Sequence, residues 1–421
     1  MLRGARQVGK TFIVRELGAK FTNFIEINFL DNKDLHSVFK RGNFNIDKIV
    51  DEISVYFSKP LIDGSSLLFL DEIQACPEAI ESLRFFYEKR PNLHVIVAGS
   101  LLEFALSEIP SFGVGRTENL FLHPLNFREY LTAQKREELL KQIQSSTPKL
   151  PLPEALHRLA LEEFKTFLLI GGMPEVVALH VGNKSFLEAS GIIENIIIGY
   201  EDDFRKYAGR VPTERLRETM RSSALQAGKK FVYKHAYLDA KSDAVHNALN
   251  LLTMAGVVSK VFHSASNGVP LGAEIDLRKF KTLPVDIAIY QRLAGLRIQE
   301  LTVIDPGELI HKGALAEAFV GQELRAYHVP TSQPDSYYWH RESKSSNAEV
   351  DYVVEVDTTI VPVEVKASSK GSMTSMRLFL TEKRSDLGIR VSTENFNTYQ
   401  NIITVPIYAV AEIPRIVRAG L

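Results

Sequence analysis

The stretch GARQVGKT sets Gly4, Gly9, Lys10 and Thr11 at the spacing of a loop that cradles phosphates. The glycines let backbone N–H groups turn toward phosphate oxygens, and Ala5, Arg6, Gln7 and Val8 supply the intervening amides. At this spacing Lys10 is expected on the β- and γ-phosphates of ATP and the Thr11 hydroxyl on Mg²⁺. A second run, SLLFLDEIQ, is apolar until it ends in Asp71 and Glu72. A parallel strand delivers such residues to the C-terminal edge of its sheet, beside the loop. There Asp71 is expected to reach Mg²⁺ through water and Glu72 to polarise the attacking water. The plainer reading is an acidic strand end that caps the next helix, and the order of the two motifs favours the chemistry.

Two further residues fit the same chemistry. HVIVAGS puts Ser100 at the end of another strand, where it either senses the γ-phosphate or is a solvated strand end. Arg116, in GVGRTENLFLHPLNFREYL, is a candidate to stabilise transition-state charge, although a lone surface arginine is ordinary. Acting in trans would require a ring or dimer, and no stretch of sequence identifies such an interface.

Far along the chain, AEVDYVVEVDTTIVPVEVKAS carries Asp351 on one strand and Glu364 and Lys366 two residues apart on the next. Residues two apart on a strand share a face. Two acids and a lysine on one edge form the layout of PD-(D/E)XK nucleases: Asp351 and Glu364 would bind Mg²⁺ and Lys366 would activate water. Glu317, on the preceding helix GALAEAFVGQEL, is the candidate fourth member. A charged surface hairpin meets the same spacing, so both readings stand on spacing alone.

These residues need elements to hold them. Between residues 11 and 133, TFIVREL reads as helix and FIEINF, SLLFLDE and HVIVAGS as short apolar strands, the pattern of a parallel sheet covered on both faces. STPKLPLPE, at 146–154, breaks the chain. A mainly helical block follows. In it LRETMRSSALQAG, YKHAYLDA and SDAVHNALNLLTMAGVVSKVFHSASNGVPLGAEI give helix, short helix, helix, then two strands about an Asn-Gly turn, the order of a winged helix. Its basic residues Arg215, Arg217, Arg221, Lys229, Lys230, Lys234, Lys241 and Lys260 could meet DNA phosphates. Asp239, Asp243 and the lack of arginine in the second long helix argue instead for an internal packing module.

Composition narrows the classes. The 421 residues suggest about three domains. Fifty basic against 51 acidic residues leave no global demand for nucleic acid or a membrane surface, so any such binding is local. The single cysteine, Cys76, excludes an internal disulfide framework. Eleven histidines show no metal-ligand spacing, and no nucleophile elbow is present. No signal-peptide layout opens the chain, and FKTFLLIGGMPEVVALHV is broken by Gly, Pro and Glu175, so a cytoplasmic protein without membrane partners is expected.

Taken together, GARQVGKT, LLFLDEIQ, VAGS, the GR before LHPLNFREYL, and GGMPEVV resemble the bacterial and archaeal AAA+-type ATPases fused to a C-terminal domain of unknown function. YYWHR, AEVDYVVE and VPVEVKAS resemble the C-terminal half of that family, so the likeness extends over most of the chain. It implies an α/β multidomain protein: a P-loop ATPase core at 1–135, a helical lid-like segment at 150–212, a winged helix at 213–280 and a nuclease-like α/β domain at 295–421. It implies ATP and Mg²⁺ as cofactors and, through the last two domains, DNA as a partner. The family carries a strand before its phosphate loop, whereas only Met1, Leu2 and Arg3 precede it here. Either the start is misassigned, or the chain is cut, or this version lacks the strand; a missing central strand would expose neighbouring backbone groups, loosen the loop and weaken ATP binding. The leading expectation is an ATPase working through Lys10, Thr11, Asp71 and Glu72. The alternatives are a nucleotide-gated DNA nuclease and a non-catalytic nucleotide-dependent switch or adaptor.

Overall fold

The computed structural model describes residues 1–40, 44–100, 102–108, 115–205, 211–236, 242–298, 313–333, 335–342, 347–366 and 373–420. The chain forms two compact units. The first comprises Met1–His123 with the short stretches Met254–Gly256 and Val329–Gln333, and the second holds the remainder.

In the first unit β1 (Leu2–Arg3) leads through the glycine loop into α1 (Lys10–Gly18). There follow β2 (Asn23–Asn28), α2 (His36–Phe39), α3 (Ile46–Phe57), β3 (Ser66–Asp71), α4 (Pro77–Lys89), β4 (His94–Val97), α5 (Leu102–Glu108) and β5 (Leu120–Phe121). β3 lies between β2 and β4, parallel to both, and β1 pairs in parallel with β5. A parallel bridge from Leu2 to Ala98, just beyond β4, sets the spatial order β2, β3, β4, β1, β5. Every residue of β3 is buried. Leu67 and Phe69 pack with Val14 of α1 on one face, while Leu68 and Leu70 pack with Ile49 and Ile53 of α3 and Ile80 and Leu83 of α4 on the other. A strand covered on both faces has no polar side, which is why its sequence reads as an unbroken apolar run.

The strand expected to be missing before the loop is present, as Leu2–Arg3. Its backbone is paired on both sides: the amides of Leu120 and Leu122 donate to the carbonyls of Met1 and Arg3, each at 2.9 Å, and Leu2 bridges Ala98. Two residues are too few to register as a strand by periodicity, yet they align the loop because both neighbours hold them. Gly4 then turns the chain at φ +133°, and a Cβ there would lie 2.2 Å from the Leu122 carbonyl oxygen. No other residue fits at that position.

The second unit begins with helices: α6 (Phe127–Ala133), α7 (Glu137–Ser145), α8 (Glu154–Ile170), α9 (Pro174–Asn183), α10 (Phe186–Phe204), α11 (Thr213–Leu225) and α12 (Ser242–Met254). Next come β6 (Val258–Ser264), β7 (Ile275–Pro284), α13 (Ile287–Leu293), α14 (Gly313–Ala326), β8 (Ser336–His340), β9 (Glu349–Val356) and β10 (Thr359–Val365). The chain closes with α15 (Thr374–Lys383), β11 (Gly388–Ser392), β12 (Asn397–Tyr399), β13 (Ile402–Pro406) and α16 (Ile413–Gly420). The strands form one mixed sheet in the order β12, β13, β11, β10, β9, β8, β6, β7. No helix among the described residues is long and apolar enough to cross a membrane.

The helix, 3-10 turn at Tyr233–His235, helix and hairpin from α11 to β7 follow the order read from sequence. The hairpin is not a free wing, however, because β6 also pairs in parallel with β8. The sheet therefore runs straight through the boundary expected between residues 280 and 295. The connection at 265–274 is also longer than a two-residue Asn-Gly turn: it ends in a 3-10 turn at Leu271–Glu274, and Glu274 receives the Asn267 amide at 3.0 Å. Of the basic residues in this block, Arg217 is paired with Glu201 at 2.8 Å. Lys260 bonds Asn250 at 2.9 Å and lies over the Phe280 ring. Lys241 and Asp239 fall outside the described residues.

One of the quoted motifs is structural. In LNFREYL, Asn126 caps α6 in a reciprocal box with Glu129. The Phe127 amide donates to buried Glu323 of α14 at 3.0 Å, and the Tyr327 hydroxyl donates to the same carboxyl at 2.7 Å. Burial pushes the Glu323 carboxyl up to about 8, against the pull of those two donors. The folded state therefore keeps a proton there that the unfolded chain releases near its ordinary pKa of 4.5. The resulting stability is full in acid and is lost as pH rises from that value through about 8. Glu323→Gln should flatten this slope, so its melting temperature should fall less than that of the wild type between pH 5 and pH 8; parallel curves would refute the assignment.

Candidate functional site

The phosphate loop closes on itself through Lys10. Its Nζ donates to the carbonyl oxygens of Gly4 at 2.9 Å and Ala5 at 2.7 Å. The loop backbone is left-handed at Gln7 (φ +66°) and Gly9 (φ +93°), the second being the N-cap of α1. Left-handed residues within a run of successive amides make an anion-binding concavity at the positive end of a helix. Burial pulls Lys10 down to about 8, although Glu72 and Asp71 pull the other way. An ammonium held this way is costly to keep charged and gains from an anion placed against it.

Asp71 ends β3 and is buried. The Thr11 hydroxyl donates to its Oδ2 at 2.9 Å, and its Oδ1 accepts the Glu72 amide at 2.9 Å. Burial raises the Asp71 carboxyl, and those two hydrogen bonds act in the opposite direction. A hydroxyl and a carboxylate in contact, at the mouth of the glycine loop, fit a magnesium ion that takes most of its ligands from phosphate and water. Thr11 and Asp71 are the residues that would hold it.

Glu72 follows in a left-handed conformation, φ +48° and ψ 42°. This backbone turns its carboxylate out of the strand, where Oε2 accepts from Gln74 Nε2 and, at 3.3 Å, from the Ser100 hydroxyl. Ser100 lies past the end of β4 and faces Glu72, so the strand-end position expected for it becomes a turn position that touches the candidate base. Gln74 was not among the expected site residues, although it stands in the DEIQ of the motif itself. Its amide is fixed by close approach to Gly99, where a Cβ would come within 2.0 Å of Gln74 Oε1. Arg116 is engaged elsewhere: its Nε bonds Glu88 of α4 at 2.8 Å, an acid it shares with Arg84. Arg6 lies in the loop, and its charge adds to the burial that pulls Lys10 down.

The second set of expected residues lies in the second unit. Asp351 is on β9, Glu364 is on β10, Lys366 follows it, and Glu317 is on α14. Lys366 Nζ contacts Glu364 Oε1 at 2.6 Å, which agrees with a shared strand face, while Glu364 Oε2 is buried without a hydrogen-bond partner. Asp351 Oδ2 accepts the Val365 amide at 2.8 Å. Glu317 and Asp351 face a residue that sequence reasoning passed over, Lys281 of β7. Its Nζ lies 2.7 Å from Glu317 Oε1 and 2.6 Å from Oε1 of Glu349, a second unexpected member. Burial, reinforced by Asp351, pushes Glu317 up to about 8 despite the lysine. Among the described residues no group of three or more His, Cys, Asp or Glu side chains is arranged to hold a metal ion. The metal role expected of Glu317, Asp351 and Glu364 has two lysines as competitors, Lys281 at one oxygen of Glu317 and Lys366 at one oxygen of Glu364.

Residues 1–131 match the sequence model of a AAA domain. Residues 161–300 and 312–410 match two models, each described as a domain of unknown function, DUF8612 and DUF4143. No curated protein matches the chain. Among solved structures it is similar to a Walker-type ATPase of Pyrococcus abyssi, with 15% identity and a TM-score of 0.44 over 69% of this chain and 89% of that one. The match to the AAA domain model spans the residues that carry the phosphate loop and the Asp71–Glu72 strand end. The nuclease-like and DNA-related roles have no counterpart in these matches.

Proposed function

We propose that the protein binds ATP with Mg²⁺ in its first unit and hydrolyses it. The observation that carries this reading is the contact of Thr11 with Asp71, which joins the phosphate loop to the acidic strand end across 60 residues of sequence. When bound, Mg²⁺ would neutralise charge on the β- and γ-phosphates. Lys10 would exchange the Gly4 and Ala5 carbonyls for phosphate oxygens, and the loop amides would hold the remaining oxygens in place. Glu72 would take the proton of the attacking water, with Gln74 and Ser100 fixing its carboxylate at Oε2.

The test separates binding from chemistry. Glu72→Gln keeps the size and the hydrogen bonds of the side chain but cannot accept a proton, so turnover should drop by roughly 10²-fold or more. Binding of a fluorescent ATP analogue should stay within a few fold of wild type. Turnover near the wild-type rate in this variant would remove Glu72 as the base.

For the second unit one observation favours a nuclease-like fold: α14, β8, β9, β10, α15 and β11 follow one another, with β8, β9 and β10 antiparallel and β10 parallel to β11. The lysine inside its carboxylate set weighs against cleavage. We therefore read this unit as a partner-binding module driven by the nucleotide state of the first, with DNA as one candidate partner.

A further inference from the structure

Lys281 is 2% exposed, on a stretch of β7 that is buried from Phe280 to Pro284. Its ammonium contacts Glu317 of α14 and Glu349 of β9 and lies 5.0 Å from the centre of the Tyr338 ring of β8. Asp351, two residues along β9 from Glu349, is the third carboxylate its charge reaches. Buried Glu317 and the half-buried Glu349 and Asp351, gathered from a helix and a strand, need a cation, and either a divalent ion or an ammonium can supply it. Contacts of 2.6 and 2.7 Å leave no room for an ion between Lys281 and its acids.

We propose that Lys281 is the built-in counter-ion of this cluster, standing where a divalent cation would otherwise sit, so that the second unit carries a carboxylate constellation that needs no metal. The ammonium tethers β7 to α14 and β9, and it occupies one oxygen of Glu317 and one of Glu349. Removing it frees Glu317, Glu349 and Asp351 to converge on a divalent cation, an arrangement they do not have while the lysine holds them. This inference is independent of ATP hydrolysis.

Mn²⁺ is the probe, added to the full chain without nucleotide, with melting temperature and electron paramagnetic resonance of bound Mn²⁺ as readouts. The wild type should melt at the same temperature with EDTA and with millimolar Mn²⁺. Lys281→Met should melt lower, acquire one bound Mn²⁺ per chain and recover part of the lost temperature on adding it; both gains should vanish in Lys281→Met with Asp351→Asn. A Mn²⁺-dependent rise in the wild type that Asp351→Asn abolishes would overturn the proposal, as would a folded Lys281→Met that takes up no Mn²⁺. Should Lys281→Met fail to fold, the comparison of wild type with Asp351→Asn decides alone: indifference of both to Mn²⁺ supports the built-in counter-ion.

Discussion

Lys10→Ala is expected to lower kcat/KM for ATP hydrolysis by on the order of 10²–10³-fold, the usual loss when one preorganised donor to transition-state charge is removed. The structure gives the reason for so large an effect at a single side chain. The ammonium lies within 2.9 Å of two carbonyl oxygens of the loop and needs only a local shift to reach phosphate. Its burial means that water does little to hold its charge, so the attraction to phosphate is weakly screened. Lys10→Arg should not restore the rate, because the planar guanidinium is bulkier than the ammonium that bonds both carbonyls. Steady-state hydrolysis together with nucleotide titration is the measurement. A loss of less than about tenfold would mean that the loop amides carry phosphate binding without the lysine.

Asp286→Ala is expected to be the most damaging change to the stability of the second unit, at about 3–4 kcal/mol. The Asp286 side chain is buried and caps α13, with Oδ1 accepting the amides of Ala288 at 2.8 Å and Ile289 at 3.2 Å. Its Oδ2 accepts the Gly172 amide at 2.7 Å. Truncation removes a helix cap and strands a buried N–H on a separate segment, two losses that add because they concern different donors. The GGMPEVV motif follows from the same contact: a Cβ on Gly171, which sits at φ +72°, would lie 2.3 Å from the Asp286 carboxylate, and one on Gly172 would lie 2.0 Å from the Leu125 carbonyl. Urea unfolding followed by circular dichroism gives the number. A shift corresponding to less than about 1 kcal/mol would show that water replaces the carboxylate.

Local patterns carried much of this structure into the sequence. β3 was readable because a strand buried on both faces must be apolar along nearly its whole length, β2 and β4 because short β-branched and aromatic runs mark strands, and the loop glycines because only they tolerate its backbone. Contacts that join distant segments were not readable. Lys281 follows Phe280 and precedes Thr282, the alternation of a half-solvated strand, and nothing within ten residues signals that its partners are Glu317 and Glu349. The clue lay in the unbalanced acids of α14 and β9, which had to find a positive charge once buried. The same limit applies to the hairpin of β6 and β7: its two strands were legible, but the pairing of β6 with β8 depends on a strand more than 70 residues away. Arg116 was singled out by residue type alone, and only coordinates could reveal the acid that holds it.

The left-handed backbone at Glu72 bears on how this protein could change over generations. A residue with a β-carbon held at φ +48° costs roughly 1 kcal/mol relative to glycine. The carboxylate that the proposed chemistry requires is thus kept where the chain would fold more readily without it. Lineages selected only for endurance to heat would drift toward glycine at this position and lose turnover as they gained robustness. A glutamate at this backbone therefore gives up stability that only a use for its carboxylate, such as the proposed chemistry, would offset.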